Sequence, residues 1–199
     1  MNTTDDLSAV IDATRRWVEH AVIGLNLCPF AKSVQARGQV RYVVSAARSP
    51  LELHGELVSE LQLLRDANPD EVDTTLLIHP FVLTDFLDYN DFLDVVDATV
   101  EELGLTGQIQ VASFHPQYQF AGSAPDDVEN GTNRSPYPTL HLLRETSIDR
   151  AVAAIPDASD IFSKNIATMQ WLGHEGWNKL RTSFHQAPEP HGSNEKQKN

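Results

Sequence analysis

Thr74-Thr75-Leu76-Leu77-Ile78-His79-Pro80 is a short run of β-branched and aliphatic residues closed by a His-Pro pair. It has no polar face, so it predicts a strand covered on both sides, as in a parallel sheet flanked by helices. Upstream, Val40 to Ser45 (Val-Arg-Tyr-Val-Val-Ser) is a second strand-forming segment. Between the two, Ser49, Pro50 and Glu52 supply an N-cap, a first-turn proline and the acid of a capping box, and Leu53, Leu57, Leu61 and Leu64 form one apolar stripe. Downstream, Phe92, Leu93, Val96, Val100 and Leu103 share a helical face that ends at Gly104, an expected left-handed C-cap. Asp85 and Asp88 are assigned to the start of this helix rather than to metal binding.

Ile109, Val111 and Phe114 then lie in a third strand, closed like the 74–78 strand by His115-Pro116. Strand, helix, strand, helix, strand predicts an α/β fold: a small, mainly parallel sheet of three or slightly more strands, with right-handed βαβαβ crossovers. An N-terminal amphipathic helix carries Leu7, Val10, Ile11, Val18 and Val22 on one face and stops near Gly24. Residues 116–138 have no sustained period and carry Gly122, Pro125, Gly131, Pro136 and Pro138. Beyond them, Thr139 to Glu145 reads as a short helix, Ser147 caps another, and a last helix through Ile161, Ile166, Met169 and Leu172 ends at Gly173. Residues 1–180 are expected to form one domain and residues 181–199 a disordered polar tail.

The composition bounds the function. The 199 residues are 41% hydrophobic and 22% charged, which suits a folded globular chain. A net charge of -13 disfavours nucleic acids and anionic membranes, because both are bound by exchanging their counterions for cations. No apolar run approaches the roughly 20 residues that span a bilayer, and the N-terminus is acidic and polar. The only cysteine is Cys28, so no internal disulfide is possible, and a cytoplasmic protein is expected.

Three groups of residues can carry chemistry. His79 and His115 end two strands alike, and ligands of open parallel sheets bind at the carboxyl ends of the strands. The bland alternative is two strand-ending imidazoles bonded to loop carbonyls. Cys28, in Gly24-Leu25-Asn26-Leu27-Cys28-Pro29-Phe30, is a candidate nucleophile if its loop reaches a histidine, and otherwise a small buried hydrophobe. If 139–145 is helical, His141 and Glu145 share a face as a base and its orienting carboxylate, with Arg144 alongside.

The leading expectation is an enzyme acting on a small anionic molecule. His79, His115, His141, Glu145 and Cys28 are its candidate catalytic groups; Arg134, Arg144, Tyr118, Asn133 and Tyr137 are its candidate substrate contacts. One alternative is a site for zinc or another transition metal drawn from Cys28, His79, His115, His141 and Glu145. A further alternative is a non-catalytic module that binds a partner through Tyr118, Phe120 and Tyr137 of the aromatic loop 116–138. Walker, dinucleotide-binding, Cys-x-x-Cys, His-Glu-x-x-His and Gly-x-Ser-x-Gly motifs are absent.

Three blocks together, Gly24-Leu25-Asn26-Leu27-Cys28-Pro29-Phe30-Ala31, Phe114-His115-Pro116-Gln117-Tyr118-Gln119-Phe120 and Asn133-Arg134-Ser135-Pro136-Tyr137-Pro138, resemble a bacterial family known as domain of unknown function 1415. The resemblance runs from about the first helix to Trp177 and implies no particular activity.

Overall fold

A computed structural model describes residues 3–153 and 160–186. Helix α1 (Thr3–Trp17) continues into a π-helical turn (Val18–Ile23), followed by α2 (Ala31–Ala36), β1 (Val40–Val44), α3 (Pro50–Asp66), β2 (Thr74–Ile78), α4 (Phe86–Glu102) and β3 (Ile109–Phe114). A 3-10 turn (Val128–Asn133), β4 (Thr139–Arg144), α5 (Glu145–Ala153) and α6 (Ile161–Phe184) complete the described chain. The caps read from the sequence form as expected. Ser49 and Glu52 make a reciprocal capping box, Asp85 accepts from the amides of Leu87 and Asp88, and Gly104 has φ 66°.

The sheet has four strands in the order β1-β2-β4-β3. Strands β1 and β2 pair in parallel, whereas β2 with β4 and β4 with β3 are antiparallel. The three strands expected from the sequence therefore run in one direction, but a fourth is inserted against them, and the sheet is mostly antiparallel rather than mainly parallel. The short helix expected over Thr139 to Glu145 is this strand. Its side chains alternate: Leu140 and Leu142 enter the core between the sheet and helices α3 and α4, while His141 faces the other side.

Two apolar clusters hold the layers together. Leu53, Leu57, Leu61 and Leu64 of α3 and Tyr89, Phe92 and Val96 of α4 pack on Leu77, Leu140 and Leu142. On the opposite face, Trp17, Val18 and Ala21 meet Leu76 and Ile78, with Met169, Trp177 and Phe184 of α6. Helix α6 breaks at Gly173 (φ 64°), where the last helix was expected to end, and then resumes. It continues past the expected domain end at 180, and Phe184 is buried; the remainder of the expected tail, 187–199, lies outside the described residues.

The long loop is a packed structure. The Asn130 side chain accepts from the Phe120 amide (3.0 Å) and from Ser123 Oγ (2.8 Å), and donates to the Ala124 carbonyl (2.8 Å). Gly131 lies so close to Met169 and Trp177 that a Cβ there would sit 2.4 Å from the Met169 methyl, so the loop is pinned on α6.

Candidate functional site

Cross-strand register sorts the second face of the sheet into rows. Val40, Thr74, Leu143 and Gln110 form one row; Tyr42, Leu76, His141 and Ala112 form the next; Val44, Ile78, Thr139 and Phe114 form the last. Trp17 packs edge-on against Phe114, with ring centroids 5.1 Å apart. Residues Val40, Thr74, Leu76, Ala112 and His141 floor a cavity of about 770 Å³. Its walls come from Trp17, Val18 and Val22, from Cys28 and Phe30, and from α5. The cavity thus opens where β1 and β2 begin and reaches along β3 as far as Phe114; neither His79 nor His115 lines it.

The π-helical turn shapes one wall. The Gly24 amide bonds to the Glu19 carbonyl, five residues back (3.0 Å), and the widened turn presents Val18 and Val22 to the cavity. Cys28 also lines it, and burial pushes its thiol upward, so the sulfur is a neutral thiol rather than an activated thiolate.

His141 is the polar feature of the floor. Its Nε2 lies 2.7 Å from Thr74 Oγ1, and that hydroxyl donates in turn to the Leu142 carbonyl at 2.6 Å. Burial pushes the imidazole down to about 4, so it is neutral near pH 7. The helix expected to place His141 and Glu145 on one face does not exist. His141 belongs to β4, whereas Glu145 opens α5 and its amide bonds the Gln108 carbonyl (2.9 Å).

Two of the three arginines that line the cavity are engaged; the third, Arg150, is exposed and makes no side-chain hydrogen bond or ion pair among the described residues. Arg144 lines it, but its guanidinium donates to the carbonyls of Leu64, Ala67 (2.8 Å) and Val72 (3.3 Å), which closes the C-terminal end of α3. Arg37 Nε bonds Gln39 Oε1 at 2.5 Å. Asp70 and Asp73 add negative charge to the same lining, and Ser147 donates to Asp73.

The strand-end histidines are placed differently. Both are fully buried. His79 Nδ1 bonds the Val82 carbonyl (3.0 Å), and its ring stacks on Tyr89 at 5.7 Å. His115 Nε2 faces the Leu83 carbonyl (3.3 Å), and its Nδ1 accepts from the Gln117 amide (3.0 Å). Burial pushes His79 down to about 4, helped by nearby His115, and lowers His115 as well.

The candidate substrate contacts 118, 133, 134 and 137 brace the same end of the molecule. Asn133 Nδ2 donates to the Ser113 carbonyl (3.2 Å), and Arg134 donates to the carbonyls of Tyr118 (3.0 Å) and Pro125 (2.6 Å). Tyr118 packs between Phe86 and Phe120, and Tyr137 packs edge-on to His185. Among the described residues, no three His, Cys, Asp or Glu side chains gather as a metal site would require.

Of the residues singled out in the sequence, the structure thus brings Cys28, His141 and Arg144 to one cavity. Thr74, Gln110 and Ala112 also line it and were not singled out. Their signal was the alternation of Thr139, His141 and Leu143 with Leu140 and Leu142, which marks a strand and so a common face.

Residues 9–179 match the family model described as Protein of unknown function (DUF1415). The chain belongs to that family. The matched span takes in the whole cavity lining, from Trp17 to Ala151, as well as both strand-end histidines. No curated protein and no solved structure matches the chain. No helix among the described residues is long and apolar enough to cross a membrane.

Proposed function

We propose that the protein is an enzyme acting on a small molecule held in the cavity between the sheet and the π-helical turn, with His141 as the group that takes a proton from it. The observation that carries this reading is a space of about 770 Å³, the size of ordinary small-molecule sites, with a neutral imidazole in its floor. A neutral histidine fixed by a second hydrogen bond offers a positioned lone pair; held near 4 it is a weak base, suited to a proton that leaves an acidic group. His79 and His115 are less suited to that work, since both are fully buried: His79 Nδ1 and both nitrogens of His115 lie against backbone groups, and His79 Nε2 is enclosed without a partner.

Titration with Nile red, a neutral apolar dye that brightens on leaving water, tests whether the space takes a ligand. One dye per chain should bind. Ala112→Phe fills the floor beside His141 and should weaken binding by at least about tenfold. Val22→Trp should do the same from the opposite wall without altering the sheet, while Trp171→Ala, on the outside of α6, should leave binding as it is. Equal binding by the parent and both filling variants would overturn the cavity reading.

A further inference from the structure

We infer that the cavity selects a neutral, mainly apolar molecule carrying a hydroxyl or similar hydrogen-bond donor, which it receives at Nδ1 of His141. The inference rests on the cavity being the ligand site, as proposed above, and adds the chemistry of the ligand.

Thr74 has one hydroxyl hydrogen, and its oxygen lies 2.6 Å from the Leu142 carbonyl, which can only accept. That hydrogen is therefore committed to Leu142. The 2.7 Å contact between Thr74 Oγ1 and His141 Nε2 then needs its proton from the imidazole. A neutral ring has only one N–H, so a proton on Nε2 leaves Nδ1 with a free lone pair.

Nδ1 has no partner among the described residues, yet it is not sealed in. The buried side-chain polar atoms that lack both partner and access are Thr75 Oγ1, His79 Nε2 and Trp177 Nε1. His141 Nδ1 is not among them, and the ring lines the cavity, so its lone pair opens onto that space.

The surroundings favour a neutral donor over an anion. Trp17, Val18, Val22, Phe30 and Leu76 make the adjoining walls apolar. Of the cations in the lining, Arg144 is held by three carbonyls and Arg37 by Gln39, Arg150 is exposed to solvent, and Asp70 and Asp73 oppose them. A donor on the ligand satisfies an acceptor that is otherwise unpaired, and a site built this way discriminates strongly against analogues that lack the donor.

Displacement of Nile red by three naphthalenes tests the inference at neutral pH. 2-Naphthol supplies a hydroxyl, 2-methoxynaphthalene has the same body without a donor, and 2-naphthoate carries a negative charge. 2-Naphthol should bind at least about tenfold more tightly than either. In His141→Phe, which keeps a ring and leaves the Thr74 bond to Leu142 in place, the preference over the methoxy compound should fall to about twofold or less. Equal binding of 2-naphthol and 2-methoxynaphthalene, tighter binding of 2-naphthoate, or an undiminished preference in His141→Phe would overturn the donor assignment while the cavity reading stands. If none of the three displaces dye, and none binds directly, the donor assignment falls, while the cavity reading is decided by Nile red and the filling variants.

Discussion

Acidification from about pH 7.5 to about pH 4.5 should cost the fold on the order of 5 kcal/mol, an effect drawn from two histidines. His79 and His141 are each held near 4 by burial, against an ordinary value of 6.5. The unfolded chain therefore binds protons that the folded chain refuses. The stabilising contribution is fully present above 6.5 and is lost as the pH falls toward 4, at roughly 2.5 kcal/mol for each histidine. Neither folded group gains a charged partner that would reverse the sign. Urea midpoints measured across this range should fall steeply for the parent and much less for the double variant His79→Gln/His141→Gln. A parent whose midpoint is flat between these limits would show that neither ring is desolvated as described.

Tyr89→Ala should be the most damaging single substitution at the histidine end, costing about 3–5 kcal/mol in urea unfolding. Tyr89 is fully buried on α4, and its ring lies 5.7 Å from His79 and 5.1 Å from His115. Its hydroxyl donates to the Thr139 carbonyl (3.0 Å) and accepts from the Phe114 amide (3.1 Å), joining the start of β4 to the end of β3. Tyr89→Phe keeps the ring volume but strands both backbone groups, and should cost about 1–3 kcal/mol. If Tyr89→Phe were as stable as the parent, the hydroxyl would not be the tie between the two strands. Tyr89 reaches the cavity lining only through the backbone amide of Phe114, so Nile red binding should survive in whatever fraction remains folded.

What the sequence showed and what it concealed follow from the range of the interactions involved. The capping box at Ser49 and Glu52, the Asp85 cap and the glycine turn at 104 are local, and each could be read from a few residues. So could the first three strands. Strand β4 was hidden because Thr139, His141 and Glu145 also fit the spacing of a capped helix, and six residues are too few to separate a period of 2 from one of 3.6. Only pairing with β2 and β3, far away in the chain, settles which period applies.

The direction of β4 decides which end of the sheet is open. With a purely parallel sheet, the carboxyl ends of the strands would be the functional edge. With β4 inserted antiparallel, that edge is filled by Tyr89, Phe86 and the packed loop, and His79 and His115 are enclosed there. The open space lies at the other end of the sheet, where Thr74 and His141 become diagonal neighbours on one face. Cys28 and His141, separated by most of the sheet-forming sequence, share a cavity because the loop after the π-helical turn folds over β1 and β2. Neither periodicity nor spacing along the chain encodes that meeting.

His141 should present a neutral ring with its proton on Nε2 and a lone pair on Nδ1 open to a ligand. Nitrogen NMR of the ¹⁵N-labelled histidines measures this directly, because the protonated and unprotonated ring nitrogens resonate far apart. His141 should be neutral with an Nε2 proton from about pH 7.5 down to about pH 5.5, and its Nδ1 signal should shift when 2-naphthol is added. A proton on Nδ1, a doubly protonated ring near pH 6, or an Nδ1 signal indifferent to 2-naphthol would contradict this assignment.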